Sequence, residues 1–468
     1  MAAIHSDALV FFGATGDLAY KKIFPNLQAM IKRGHLDIPV IGVAKSGWNV
    51  DQLRARAKDS VEKHGGLDPA AFEKLSKLLR YVDGDYKDPA TFKKLRQELK
   101  GAEHPTHYLA IPPVLFEAVV QELVSSGCSK GARVVVEKPF GNDLASAQEL
   151  NRVLLSAFKE ADIYRIDHYL GKRPVHNMIV FRFSNTFMEA FWNRNFIQSV
   201  EITMAEDFGV QGRGAFYDQT GTVRDVMQNH LFQVLSNLCM EPPVRTDSES
   251  IRDEKVKVLK AIPSLTEKDL VRGQFQGYLN EGGVKPGSKV ETFAAMRLAV
   301  NSWRWKDVPF FLRAGKCLPL TCTEVFATFR KPPTLRQESD LLPNHWRFRI
   351  SPDMAIAMGC TVMSAGEGLA GRTVEMLASR HPRSDEMDAY ERVLGDAMEG
   401  DATLFARQDY VEEAWRIVDP VLKKATPVYP YEAKTWGPKE VDELLAPAGG
   451  WHNPTGPVEE EFSLSAGA

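Results

Sequence analysis

No CxxC pair occurs among the five cysteines, at positions 128, 239, 317, 322 and 360. An odd number leaves one thiol over in any disulfide scheme, and the spacing of a redox dithiol or a cysteine-ligated metal is missing. The expectation is inert thiols in a reducing compartment. No apolar run is long enough to cross a bilayer. The N-terminal residues show no basic segment followed by a long apolar stretch, so a secretory leader is not expected. Excess charge of one sign is absent too: 58 Lys and Arg stand against 61 Asp and Glu, a net charge of -3 with histidine neutral. That balance exerts no overall pull on nucleic acid or an anionic membrane, so an anionic ligand must be met by a local positive site. Neither a Gly/Ser linker nor an internal repeat interrupts the chain. From these absences a soluble, cytoplasmic protein with no nucleic-acid or membrane partner is expected.

What is present is a chain of 468 residues, too long for one ordinary core, so two or three domains are expected. Apolar residues at 44% and charged residues at 25% fit a folded globular protein. The first half alternates. Short apolar runs ("DALVFFG", "IPVIGVA", "LRYVDGDY", "THYLAIPP", "ARVVVEKPFG") are separated by segments of helical apolar spacing such as "VDQLRARAKDSVEKHG" and "FEAVVQELVSSG". That alternation predicts βαβ units and a parallel sheet covered on both faces, a Rossmann-type α/β domain over residues 1–175. Beyond residue 175 the strand-like runs "SVEITMAED", "VPFFLRAG", "EVFATFRK", "HWRFRIS" and "AIAMGCTVMS" alternate less regularly with helices. One helical stretch, "VRDVMQNHLFQVLSNLCM", sits among them. Residues 176–468 are therefore expected to form an α+β domain with a large, mainly antiparallel sheet. The tail from about residue 447 is expected to be loosely held at its end.

"VFFGATGDLAYKKIFP" places Gly13 and Gly16 where the first strand turns into the first helix. Glycines there permit a tight turn and bring backbone N–H groups to a pyrophosphate at the helix N-terminus. Gly13, Ala14, Thr15, Gly16, Asp17 and Leu18 are the candidate contacts. The spacing is GxxG rather than GxGxxG, and an ordinary strand-to-helix turn is the plain alternative. At the end of the second strand, an NAD-selective site usually carries Asp or Glu for the ribose 2′-hydroxyl. Lys45 and Ser46 stand there instead and suit a 2′-phosphate, which favours NADP, although a surface lysine after a strand is commonplace. Pro112, ending the fourth strand run, and Lys138, after the fifth, reach the carboxyl edge where doubly wound sheets bind ligands.

"RIDHYLGK", residues 165–172, packs an arginine, two acid/base candidates, a tyrosine and a lysine into eight positions. Dense charge of this kind usually lies on a solvated face. If "DHYLGK" starts or joins a helix, residues 168 and 172 share a face through i,i+4 spacing, and one phosphate touches both. Taken alone, His230 in a partly apolar helical stretch reads more readily as a satisfied core histidine than as a base.

Together "GATGDLAYKKIFP", "EKPFG", "RIDHYLGK", "AEDFGVQGRGAFYD", "VRDVMQNHLFQ" and "VPFFLRAGKCL" resemble the glucose-6-phosphate dehydrogenase family, in the family's order, from about residue 10 to 320. Residues from 330 to about 445 carry weaker signatures. The resemblance implies oxidation of glucose 6-phosphate at C1 to 6-phosphogluconolactone, with a hydride passing to NADP, at the entry of the pentose phosphate pathway. It implies His230 as general base and Asp167 as the carboxylate that orients it. Histidine's unperturbed pKa near 6.5 suits a base at working pH. His168, Tyr169 and Lys172 are implied at the substrate phosphate. Lys138 is implied near the reacting end, Glu206 and Asp225 at sugar hydroxyls, and Lys316 as a further substrate contact. No metal is implied. The second domain is expected to carry substrate binding and self-association as a homodimer or homotetramer.

Several positions depart from the family pattern. Lys45 stands where arginine is more usual, keeping charge but losing a bidentate fork, so NAD is expected as a possible second acceptor. Tyr20 replaces a commonly basic residue, His176 a frequent glutamine, and Thr321 a residue often basic in relatives. Two other readings stand beside this one. A related oxidoreductase family shares an EKP after its Rossmann half and acts on unphosphorylated sugars, but has no "RIDHYLGK". A dinucleotide-sensing protein with the same fold is the other, and loss of Asp167, His230 or Lys138 would have favoured it.

Overall fold

The computed structural model describes residues 5–332, 343–364, 371–380, 386–424, 426–445 and 449–456. Its strands in chain order begin with β1 (Ala8–Phe12), β2 (Val40–Ala44), β3 (Leu79–Asp83), β4 (Pro105–Leu109), β5 (Arg133–Glu137) and β6 (Ile163–Ile166). There follow β7 (Ile197–Ala205), β8 (Leu270–Phe275), β9 (Phe293–Ala299), β10 (Pro309–Gly315), β11 (Cys322–Phe329), β12 (His345–Ser351), β13 (Met354–Met363) and β14 (Gly371–Arg380). The last two are β15 (Phe405–Ala406) and β16 (Val428–Tyr431). The chain divides into two compact units. One comprises Met1–Lys172, Pro243–Asp253 and Met387–Glu412; the other comprises Arg173–Pro242, Glu254–Glu386 and Glu413–Ala468.

The first unit holds a seven-stranded sheet in the order β15-β6-β5-β4-β1-β2-β3. Every pairing from β6 to β3 is parallel, and β15 alone joins antiparallel, Phe405 opposite Ile166. This is the doubly wound order, whose chain reversal lies at β1 and β4. β1, β2 and β4 are buried along their whole length, as apolar strands with helices on both faces must be. Local signals fix the helices. Pro25 opens Phe24–Arg33 and left-handed Gly34 closes it. Asn49 and Gln52 form a capping box at the start of Val50–His64.

The core of this unit draws on distant sequence: Phe11, Phe24, Leu27, Leu53 and Tyr164 pack in one cluster with Val393, Leu394, Leu404 and Phe405. The split expected at residue 175 gave everything beyond it to a second domain. Residues 243–253 and 387–412 instead belong to the first unit, because β15 pairs with β6 and the helix Ala389–Glu399 buries its apolar side in this core.

The second unit holds a nine-stranded sheet, β14-β13-β12-β11-β7-β10-β9-β8-β16. The pairs β7/β10 and β8/β16 are parallel and the other six antiparallel. The fold class expected from the sequence, a Rossmann-type domain followed by an α+β domain with a large mainly antiparallel sheet, is the one observed. The strands β6, β8, β9, β14, β15 and β16 were not legible as such. In the tail, His452 is held in place: its ring stacks on Phe326 with centroids 3.8 Å apart, and its backbone N–H donates to Glu201 Oε2 at 2.9 Å. Residues 457–468, the end expected to be loosely held, lie outside the described residues. No helix among the described residues is long and apolar enough to cross a membrane.

Candidate active site

In the first unit the turn after β1 is built around Gly13, at φ +82°, where a Cβ would collide with the Ala110 carbonyl oxygen. Only glycine fits both the left-handed backbone and the close approach of the β4 end. The Gly13 N–H donates to Val43 O at 3.0 Å and to the Tyr86 hydroxyl at 2.9 Å, Ala14 N–H to Val43 O at 3.3 Å, and Gly16 N–H to Gly13 O at 2.9 Å. These three donors hold the loop's own shape. The helix that follows starts at Asp17 and Leu18, and the first-turn N–H groups of a helix have no intrahelical partner. The hydroxyls of Thr15 and Ser46 lie 2.8 Å apart, which ties the end of β2 to the glycine turn.

The end of β2 is moored to β3. Asp83 Oδ1 accepts the N–H groups of Ser46 at 3.0 Å and Gly47 at 2.8 Å. Lys45 Nζ lies 2.7 Å from Asp85 Oδ2 in an exposed ion pair. Tyr86, Asp83 and Asp85 were missed in the sequence. The run "VDGDY" showed only a strand, yet a strand adjacent to β2 sends its next residues past the same edge.

Lys138 directly follows β5, and Pro112 follows β4. Next to Lys138, burial pushes the Glu137 carboxyl up to about 7, against the opposing hydrogen bond from Tyr108 and the charge of Lys138. "DHYLGK" is not a helix. Successive turns run from Leu170 N–H to Asp167 O, Gly171 N–H to His168 O and Lys172 N–H to Tyr169 O, at 2.9, 3.2 and 3.1 Å. With i→i+3 closure the residues that eclipse are three apart. The helical spacing expected to put 168 and 172 on one face is thus not the local geometry, and the Lys172 ammonium lies 3.8 Å from the Tyr169 ring centroid. Asp167 is buried and its Oδ1 accepts the Tyr169 N–H at 3.0 Å. The His168 ring stacks against Tyr390, 6.3 Å between centroids, a neighbour from the late segment 387–412 that no local pattern signalled.

In the second unit the parallel pair β7/β10 sets Glu206 and Lys316 side by side, just beyond the two strands. Glu206 N–H donates to Gly315 O at 3.0 Å, and Lys316 Nζ forms an ion pair with Glu206 Oε2. The Lys316 ammonium also lies 5.0 Å from the Tyr217 ring centroid and 5.4 Å from that of Phe208. Thr321 donates to Asp207 Oδ1 at 2.5 Å and accepts the Asp207 N–H at 3.0 Å. A cation does stand beside it: Lys434, at φ +65°, donates its Nζ to Asp207 O at 2.9 Å.

Asp225 and buried His230 share the π-helical stretch Val223–Leu231. An i→i+5 repeat brings residues five apart onto one face, which a regular α-helix does not do, and π-turns are frequent at functional sites. The stretch is anchored at its start by buried Glu291, which accepts Val223 N–H at 3.2 Å and pairs with Arg272 at 2.8 Å.

Comparison with known proteins bears directly on this arrangement. The family model for the glucose-6-phosphate dehydrogenase NAD binding domain matches residues 10–177, and that for the C-terminal domain matches residues 179–452. The chain belongs to the glucose-6-phosphate dehydrogenase family. Glucose-6-phosphate 1-dehydrogenase 1 of Mycobacterium tuberculosis is 40% identical over 455 residues, spanning 96% of this chain and 97% of that protein. A crystal structure of glucose-6-phosphate 1-dehydrogenase from Mycobacterium avium superposes with a TM-score of 0.91 at 40% identity, covering 97% of this chain and all of that one. A glucose-6-phosphate dehydrogenase in complex with glucose 6-phosphate superposes with a TM-score of 0.87 at 35% identity, again over 97% of this chain and all of that one.

Membership of the glucose-6-phosphate dehydrogenase family makes this chain an oxidoreductase of glucose metabolism in the pentose phosphate pathway, with NADP as cofactor. The residues present fit that group. The cramped glycine turn, the helix opening at Asp17 and the hydroxyls of Thr15 and Ser46 form a small polar edge of the kind that receives a dinucleotide.

Proposed function

We propose that this chain oxidises D-glucose 6-phosphate at C1 to 6-phosphogluconolactone, with His230 as the general base and Asp167 as its orienting carboxylate. NADP, when bound, supplies the acceptor for the hydride that leaves C1. Gly13, Ala14, Thr15, Gly16, Asp17, Leu18 and Pro112 hold it along the sheet edge, and Lys45 and Ser46 meet its 2′-phosphate. His230 takes the O1 proton as the C1–H bond breaks, so the sugar loses a hydride and a proton and becomes a lactone. Asp167 fixes the imidazole tautomer and stabilises the imidazolium. His168, Tyr169 and Lys172 hold the phosphate. Lys138 aligns the reacting end, and Glu206, Asp225 and Lys316 bind around the sugar.

The observation that supports this most is the pair of family matches over residues 10–177 and 179–452, with a charged or polar residue at every one of these substrate and dyad positions. NAD serves as a second acceptor because Lys45 offers a point charge rather than a fork. The protein works in the cytoplasm as a homodimer or homotetramer, which light scattering after gel filtration distinguishes.

The test is initial rates of NADP and NAD reduction with glucose 6-phosphate, with free glucose and His230→Asn alongside. Turnover confined to the phosphorylated sugar, reduced at least about a hundredfold in the variant, is the expected result. No turnover with either cofactor would overturn the reading.

A further inference from the structure

We infer that Asp85 is a specificity-determining residue that holds down the preference for a 2′-phosphorylated dinucleotide by occupying Lys45 and adding negative charge beside it. The inference rests on the reading of Lys45 and Ser46 as the 2′-end of the cofactor site. Lys45 is the cation that reading assigns to a dianionic 2′-phosphate, and its Nζ lies 2.7 Å from Asp85 Oδ2. A phosphate that takes this ammonium must displace the carboxylate or share the cation with it. The shared arrangement places two anions around one charge, a repulsion that an unphosphorylated ribose does not meet.

Asp85 is held where it competes. Its Oδ1 accepts the Lys87 N–H at 2.9 Å, and its carbonyl accepts the Thr91 hydroxyl at 2.8 Å and the Asp88 N–H at 3.1 Å. The carboxylate is therefore a fixed feature of the turn after β3, whereas Lys45 is a long, exposed side chain that can move. Asp83 plays a different part. Its Oδ1 is taken by the N–H groups of Ser46 and Gly47, so it shapes the loop. The turn after β3 thus carries one carboxylate that builds the 2′-end and one that weakens its charge.

The probes are 2′,5′-ADP, which carries the 2′-phosphate, and 5′-ADP, which does not. Their binding to the full-length protein is measured by calorimetry for the wild type, Asp85→Asn and Lys45→Ala. Asparagine keeps an acceptor for the Lys87 N–H, so the turn is preserved, and a melting temperature close to wild type confirms it. Asp85→Ser is the second variant should that fail. Asp85→Asn is expected to tighten 2′,5′-ADP about threefold to tenfold and to leave 5′-ADP within about twofold. The ratio of kcat/KM for NADP over NAD should rise in the same proportion.

If Asp85→Asn leaves 2′,5′-ADP unchanged or weakens it while Lys45→Ala weakens it, the inference about Asp85 falls and the assignment of Lys45 stands. If Lys45→Ala changes neither probe, the assignment of the 2′-end itself falls.

Discussion

Arg349 and Glu324 meet face to face across β12 and β11, Nε to Oε2 at 2.6 Å, with each side chain only 1% exposed. Glu324 also accepts from His452 at 2.9 Å and lies 3.5 Å from Arg347. Removing one partner of a buried pair strands the other charge, which costs on the order of 3–5 kcal/mol. Arg349→Met should therefore unfold at a clearly lower urea midpoint than the wild type. Adding Glu324→Gln to it should recover part of the loss. An unchanged midpoint in the single variant would show that Arg347 and His452 suffice for Glu324.

Acid sensitivity should reside in part in Glu375. Burial alone would raise its carboxyl, but hydrogen bonds from His345 and Arg347 outweigh that and bring it down to about 2. An acid depressed in the folded state adds stability above its unfolded value near 4.5, and that stability is lost as pH falls toward 2. Melting curves of wild type and Glu375→Gln should differ most above pH 5 and converge near pH 2. A constant difference across that range would contradict the assignment.

Gly13→Ala tests the glycine turn. The added methyl meets the Ala110 carbonyl oxygen in a left-handed backbone. A loss of about 1–3 kcal/mol in stability is expected, with dinucleotide binding weakened further because the turn must shift. Gly34→Ala is the informative control: its φ is +78° but no atom lies within 4 Å of the added Cβ, so it should show backbone strain without the effect on binding.

Under the proposed assignment of Lys172 to the substrate phosphate, this residue separates phosphate recognition from the rest of substrate binding. A hydrogen bond to a charged group contributes about 1.5–3 kcal/mol, so Lys172→Ala should raise KM for glucose 6-phosphate about tenfold to a hundredfold. The KM for NADP should stay within about twofold. Equal changes in both would place Lys172 elsewhere.

The alternation of apolar runs with helical segments made the parallel sheet readable, because a strand buried on both faces needs an unbroken apolar run, as in "LVFF" of β1. β6, β8 and β9, which carry Arg165, Arg272 and Arg297, did not stand out as strands, although β10 and β12 did with arginines of their own. Arg165, for instance, is buried against Glu160 at 2.7 Å, a partner the local pattern does not announce. Within the candidate site, residue types carried the chemistry, and the family resemblance carried the roles proposed for His230 and Asp167. The contacts of Lys45 with Asp85, Thr321 with Asp207 and His168 with Tyr390 join residues far apart in sequence. Nothing periodic connects them, so only the fold reveals them.

The late segment 387–412 has a bearing on how this protein is made. β15 closes the edge of a sheet whose other six strands are complete by residue 166, and Val393, Leu394, Leu404 and Phe405 fill a core begun at Leu9. On the ribosome the nucleotide-binding half must wait, with an open sheet edge and an unfilled core, until most of the polypeptide has emerged. A gene fragment ending near residue 177 encodes the whole of the recognisable binding motif yet only part of a folding unit.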